Sequence, residues 1–253
     1  MNREIVCIFQ RRIGMPLLYF FLLMGTVGML TLIGRILGRA AIIAGAMAGT
    51  LFLAAGTVNW PEAWILTSIY GLFLVAFMAC GFVFAPDVMR ERRQMAGNVK
   101  PWDRIIHLGF TISFVAVLVV AGLDARHAWS DLHIIVQAAG TVGILFAGVI
   151  ILWTLMSNPF LSRWARIQDD RGHGVVSQGP YRFVRHPMYA AIILFVLCTP
   201  LELDSAWSLI PAALGMLIYI TRTKKEDQML RDELDGYREY AGRVRYRLLP
   251  GLW

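Results

Sequence analysis

Two stretches of the chain concentrate side chains able to do chemistry. The first, SNPFLSRWARIQDDRGHGVVSQGPYRFVRHPMY, runs from Ser157 to Tyr189. Its turn signals are Gly172, Gly174 and Gly179–Pro180, and Val175–Val176 between them suit a short extended segment. At its end, Arg185–His186–Pro187–Met188–Tyr189 leads into an apolar run. Proline is favoured at the first helical position, and the residue before it is pushed to an extended conformation. The spacing therefore predicts a helix start at Pro187, whose unpaired N–H groups and positive dipole end can hold a carboxylate or phosphate. The same residues also read as a plain span entry, with Arg185 and Tyr189 as interface anchors.

The second stretch, TRTKKEDQMLRDELDGYREYAGRVRYRLLPGLW, runs from Thr221 to the last residue. Arg222 and Glu226 are four apart and share a helix face, with Asp227 next to them. Leu230, Leu234, Tyr237, Ala241 and Val244 recur at helical spacing among charges. This predicts an amphipathic helix, lying on the membrane or over the mouth of a helical bundle. The competing reading is a snorkelling arginine followed by a solvated charge run. No HExxH, no phosphate-binding glycine loop and no GxSxG elbow occurs, so no metal site, soluble nucleotide fold or serine hydrolase is expected.

Elements to position these residues must be membrane helices. Of 253 residues, 57% are hydrophobic and only 16% charged, with mean hydropathy +0.58. A soluble domain has about 45–50% apolar and about 25% charged residues, so an ordinary globule is excluded, as is disorder. The apolar runs are continuous rather than alternating, which disfavours a β-barrel. Seven runs approach the length of about 20 residues that a crossing needs. They cover residues 16–33, 40–58, 63–85, 105–123, 132–156, 187–201 and 206–221, the last two as a tight hairpin around Glu202 and Asp204. The expected fold is all-α: a polytopic membrane bundle of about seven spans with a C-terminal amphipathic helix. Residues 1–156 hold five spans; residues 157–253 hold the chemistry. Mid-span charges are almost missing, which argues against a pump or transporter. Cys7, Cys80 and Cys198 read as small hydrophobes.

The net charge of +7 sorts by loop. With seven spans, Arg35 and Arg39, the 90–104 loop, the 163–185 loop and the tail share one side. Arg3, Arg11, Arg12 and Arg126 fall on the other. The positive-inside rule then places the tail in the cytoplasm and the N-terminus outside. The charge thus reports topology and anionic lipid contact rather than nucleic acid.

In order, Gly-Pro-Tyr-Arg-x-x-Arg-His-Pro-Met-Tyr, an apolar hairpin, Arg-x-x-x-Glu-Asp, Tyr-x-x-Tyr and Arg-Leu-Leu-Pro resembles the isoprenylcysteine carboxyl methyltransferase and phospholipid methyltransferase superfamily. The likeness covers about Arg166 to Pro250. It implies an integral membrane methyltransferase that uses S-adenosylmethionine on a lipid-like or small hydrophobic acceptor. By position it implies that His173, Gly174, Val175, Val176, Tyr181, Arg185, His186, Pro187, Met188 and Tyr189 hold the cofactor. Glu226 and Asp227 follow as the acidic pair, serving cofactor or catalysis, and Arg222 with Tyr240 lies by the acceptor. Departures are Asp227 where Glu is usual and Ala191 where Gly is common. A lesser likeness, to NADPH-dependent sterol reductases, rests on Arg185–His186 and Tyr246 to Pro250, but Pro187–Met188 departs from it. A non-catalytic membrane scaffold is the third reading.

Overall fold

The computed structural model describes residues 17–92 and 99–253, with side chains from residue 28 onward. Arg3, Arg11, Arg12, Arg93 and Cys7 lie outside the described residues. The described chain is helical and contains no strand. Its helices are α1 (Leu17–Ala55), α2 (Pro61–Phe84), α3 (Pro86–Glu91), α4 (Pro101–His127), α5 (Ile134–Ser157), α6 (Pro187–Glu202), α7 (Leu209–Glu233) and α8 (Tyr237–Arg243). Within α1 from Gly28, and in α2, α4 and α5, the helices are long and apolar enough to cross a bilayer. Leu53, Leu72, Ile105, Ile134, Val142 and Ile210 project outward, as a lipid-facing surface requires.

One expectation is corrected. The first two runs do not form two spans but the single 39-residue helix α1. Arg35 and Arg39 read as a connection between the two runs, yet arginine is a good helix former and no proline interrupts the segment. At 1.5 Å per residue α1 extends about 58 Å, well beyond the roughly 30 Å hydrocarbon core. Where two spans were expected, the described residues therefore show one continuous helix.

Glycines set the closest helix contacts. A Cβ at Gly140 on α5 would sit 2.6 Å from the Glu202 nitrogen, and one at Gly122 on α4 would sit 2.8 Å from the Leu51 carbonyl oxygen. Such small residues let membrane helices approach backbone to backbone. The apolar core at this end joins Leu51, Trp60, Leu66, Leu118, Ile144 and Leu203. Cys198 packs there as a buried hydrophobe, while Cys80 is half-buried.

The hairpin of α6 and α7 forms as expected, and α7 runs on without a break past Thr221. The tail helix is not continuous with it. The chain turns at Leu234–Gly236, Gly236 takes φ 78°, and the short α8 folds back. Leu234, Tyr237, Tyr240 and Ala241 bury against Tyr181, Val175, Val176 and Ile167. The apolar stripe of the tail is therefore spent on the 157–186 loop, which it covers.

Candidate functional site

The 157–186 loop has almost no regular structure, so its course depends on side-chain anchors. Gln168, fully buried, donates from Nε2 to the Phe160 carbonyl (2.6 Å) and accepts from Arg171 (2.6 Å). Its backbone N–H donates to Nδ1 of His173 (3.4 Å). A nitrogen that accepts carries no proton, so this ring is protonated at Nε2. Burial lowers the His173 pKa, in keeping with a neutral imidazole. Glu91, at the end of α3, takes Arg166 in a two-pronged pair at 3.1 and 2.8 Å. Asp103, in the first turn of α4, accepts the Ala165 N–H at 2.8 Å. Asn158 donates to the Tyr181 hydroxyl at 2.7 Å, and burial pushes the Tyr181 pKa up.

Asp103 has a second role. It receives Arg222 Nε at 2.8 Å and Nη2 at 3.3 Å, while the same Nη2 donates to the Arg163 carbonyl at 2.9 Å. The Asp103 side chain is fully buried and that of Arg222 nearly so. The Arg222 guanidinium also lies over the Tyr189 ring at 4.8 Å. Arg222 is thus already neutralised, and this limits the expected role of holding an anionic acceptor by itself.

Asp227 is the hub of the tail. Arg185 meets it at 2.7 and 3.1 Å, Arg247 at 3.0 Å, Arg231 at 3.1 Å and the Tyr237 hydroxyl at 3.0 Å. His186 Nε2 is 3.4 Å away. Burial works to raise its pKa, but the hydrogen bonds and charges of His186, Arg185 and Arg247 hold it far below the usual carboxylate range. Arg185 further ties the Val244 and Arg245 carbonyls, both at 2.7 Å. Asp227 therefore locks the start of α6 to α7 and the C-terminal segment. It does not line the cavity described next.

Between these anchors lies one large cavity of about 440 Å³, within the range of about 300–1,000 Å³ usual for small-molecule sites. Of the residues singled out in the sequence, His173, Gly174, Val175, Val176, Tyr181, Arg185, His186, Met188, Tyr189, Arg222, Glu226 and Tyr240 line it. Pro187 and Asp227 do not. Glu226 accepts a short hydrogen bond from the Tyr189 hydroxyl. Tyr189 stacks flat on His186, with ring centres 5.6 Å apart, and edge-on to Tyr219 at 5.4 Å. Tyr240 spends its hydroxyl on the Tyr181 carbonyl (2.8 Å) and offers the site its ring alone.

The expected anion seat at the α6 N-terminus is also reduced. Pro187 begins the helix as predicted, but the N–H groups of Arg185 and His186 are taken by the Tyr246 and Arg247 carbonyls, and that of Tyr189 by His186. Residues the sequence reading missed are Glu91, Asp103, His107, Asn158 and Gln168. An acid in the first turn of an otherwise apolar helix was the available signal for Asp103.

The cavity has two characters. Histidines, arginines and Glu226 gather under the loop, whereas Tyr70, Phe73, Phe110, Phe114 and Phe195 line an aromatic arm between α2, α4 and α6. One enclosure thus accommodates a polar molecule from the loop side and an apolar one from within the bundle.

Residues 135–234 match the sequence model of the phospholipid methyltransferase family, a span that takes in nearly all of α5, the anchored loop, α6 and α7. Among solved structures, the chain is similar to a eukaryotic intramembrane Ras methyltransferase, an isoprenylcysteine carboxyl methyltransferase. The likeness has 14% identity and TM-score 0.49, covering 98% of this chain and 91% of that one. No curated protein matches the chain.

Proposed function

We propose that this chain is an integral membrane methyltransferase that moves a methyl group from S-adenosylmethionine to a lipid-like or small hydrophobic acceptor at the cytoplasmic membrane face. The observation that carries the reading is the shared, two-character cavity, which collects twelve of the fourteen residues singled out in the sequence. The family match over residues 135–234 supports the same reaction class.

The residues present fit the cofactor. Glu226, half-buried beside the Tyr189 hydroxyl, suits a cationic amino group or a ribose hydroxyl. Val175, Val176, Met188 and the Tyr181 ring supply the apolar walls that an adenine needs. When bound, S-adenosylmethionine supplies an electrophilic methyl group on a sulfonium. The protein's own task is alignment and exclusion of water. The loop, capped by α8 and tied down through Gln168, Glu91 and Asp103, closes the polar end. The stacked rings of His186, Tyr189 and Tyr219 hold the junction between polar end and aromatic arm in a fixed shape. A carboxylate acceptor needs no base; an amine or thiol acceptor can pass its proton to Glu226.

The basic residues of the α3–α4 region, of the 157–186 loop and of the tail, against Arg126 alone in the connection from α4 to α5, support a cytoplasmic tail by the positive-inside rule.

The test is transfer of label from methyl-tritiated S-adenosylmethionine to extracted host lipids by the purified protein. Label in the lipid fraction, lost in Glu226→Gln, is expected. Binding of NADPH without binding of S-adenosylmethionine would overturn the proposal.

A further inference from the structure

Among the described residues, the cavity wall carries Glu226, His173, His186 and His107 as carboxylate and imidazole groups able to accept a proton. Three of them are engaged. Glu226 accepts the Tyr189 hydroxyl and is the group that suits the cofactor's cation. His173 accepts the Gln168 N–H at Nδ1, so it presents a proton rather than a lone pair at Nε2. His186 directs Nε2 at Asp227 and at the Tyr237 hydroxyl, 3.4 Å from each.

His107 differs. Its Nδ1 lies 3.1 Å from the backbone carbonyl oxygen of Asp103, one turn earlier on α4. A carbonyl oxygen only accepts, so Nδ1 carries the proton and Nε2 of the neutral ring keeps its lone pair. Among the described residues, no hydrogen bond ends on that Nε2. The side chain is 18% exposed, and its ring is set against Trp164 with centres 4.6 Å apart. His107, Phe110 and Phe114 follow one another at three and four residues on α4, and all line the cavity. The imidazole thus shares a helix face with the aromatic arm and stands at the loop end of that face, where Asp103 ties down Ala165. Oδ1 of Asp103 is 3.6 Å from Nδ1, so a carboxylate shared with Arg222 stands beside the ring.

We propose that His107 is the general base for the methyl acceptor. Its Nε2 takes the proton from an acceptor that must lose one before it reacts, from an ammonium N–H or a thiol S–H. The lone pair freed on that nitrogen or sulfur forms the new bond to the methyl carbon. The bond from this carbon to the sulfonium breaks, and its electron pair stays on the departing sulfur as a neutral thioether. The proton remains on His107, where the Asp103 carboxylate stabilises the imidazolium, and passes to water as the product leaves. Glu226 yields this task to His107 because its charge is taken up by the cofactor. The inference rests on the methyltransferase reading and narrows it, since a carboxylate acceptor would leave His107 without a role.

The test makes two measurements on the full chain in a neutral maltoside detergent. The first is nitrogen NMR of the protein labelled in its histidine rings, with signals identified by their loss in His107→Asn and His173→Asn. The bare nitrogen is expected to be Nε2 in His107 and Nδ1 in His173, with no cofactor present. The second is transfer of label from methyl-tritiated S-adenosylmethionine to dodecylamine, dodecanethiol and dodecanoate. His107→Asn keeps a donor near the position of Nδ1 and loses the acceptor at Nε2. It should bind S-adenosylmethionine as wild type does, while transfer to the amine or thiol falls about a hundredfold or more. His107→Ala should fall as far and recover part of the loss when imidazole is added. A His107 ring protonated at Nε2, wild-type transfer to neither the amine nor the thiol, an Asn variant as fast as wild type, or an Ala variant that imidazole does not restore overturns the base. A wild type that binds no S-adenosylmethionine sinks the methyltransferase reading and the base with it; any of the other failures in a protein that binds it sinks the base alone.

Discussion

Replacing Asp227 with asparagine removes the negative charge on which three arginines, a histidine and a tyrosine converge. The Arg185 side chain is only 2% exposed and that of Asp227 1%, so loss of the carboxylate leaves a guanidinium buried and unpaired. Removing one partner of such a pair costs about 3–5 kcal/mol. Arg231 and Arg247 are 34% and 28% exposed and can turn to water, so each adds less than about 1 kcal/mol. For a chain of this size 1 kcal/mol shifts Tm by about 2–4 °C, so a total of about 3–7 kcal/mol gives a fall of roughly 6–28 °C. The assay is thermal unfolding of the purified protein in detergent, alongside S-adenosylmethionine titration below the new Tm. Wild-type stability should also decline as pH drops below about 4, because a depressed carboxylate stabilises above its unfolded pKa and loses that contribution on protonation. The asparagine variant should lack this slope. A variant with unaltered Tm but no cofactor binding would refute the reasoning, since Asp227 would then be a ligand-binding group rather than a strut.

Glu226→Gln should weaken S-adenosylmethionine binding about tenfold or more while Tm stays within a few degrees, because Glu226 is half-buried and, among the described residues, hydrogen-bonded to the Tyr189 hydroxyl alone; calorimetric titration checks it. Asp103→Asn and Arg222→Gln should each lower stability by about 3–5 kcal/mol and the double change by little more than one alone; a double-mutant cycle of unfolding midpoints reads the coupling. Gly140→Ala should push α5 from α6, since its Cβ would meet Glu202 backbone at 2.6 Å. The cost is about 1–3 kcal/mol, and a variant as stable as wild type would show that the helices can separate there freely.

What the sequence made legible was local. Arg185 to Tyr189 could be read because five neighbouring residues and a proline define one helix start, and Arg222 with Glu226 because one turn separates them. The partners that decide what those groups do lie far off in the chain. Asp103 reaches Arg222 across 119 positions and Glu91 reaches Arg166 across 75. No periodicity links such pairs; only the packing of α4 on α7 and of the loop on α3 does. Hence the ion pair of Arg222 with Asp103 and the convergence of Arg185, Arg231 and Arg247 on Asp227 were not legible from the sequence. The hairpin of α6 and α7 was legible from two apolar runs around Glu202 and Asp204. α1 was not, because Arg35 and Arg39 within a helix resemble a loop until the backbone shows no turn there.

The proposed reaction requires S-adenosylmethionine to enter the cavity under the 157–186 loop. Titration of the purified chain with S-adenosylmethionine, in parallel with NADPH, measures that directly. Saturable binding of S-adenosylmethionine alone, abolished or strongly weakened in Glu226→Gln at unchanged Tm, is the predicted result. No binding of S-adenosylmethionine by folded wild-type protein, or saturable binding of NADPH in its place, would contradict it.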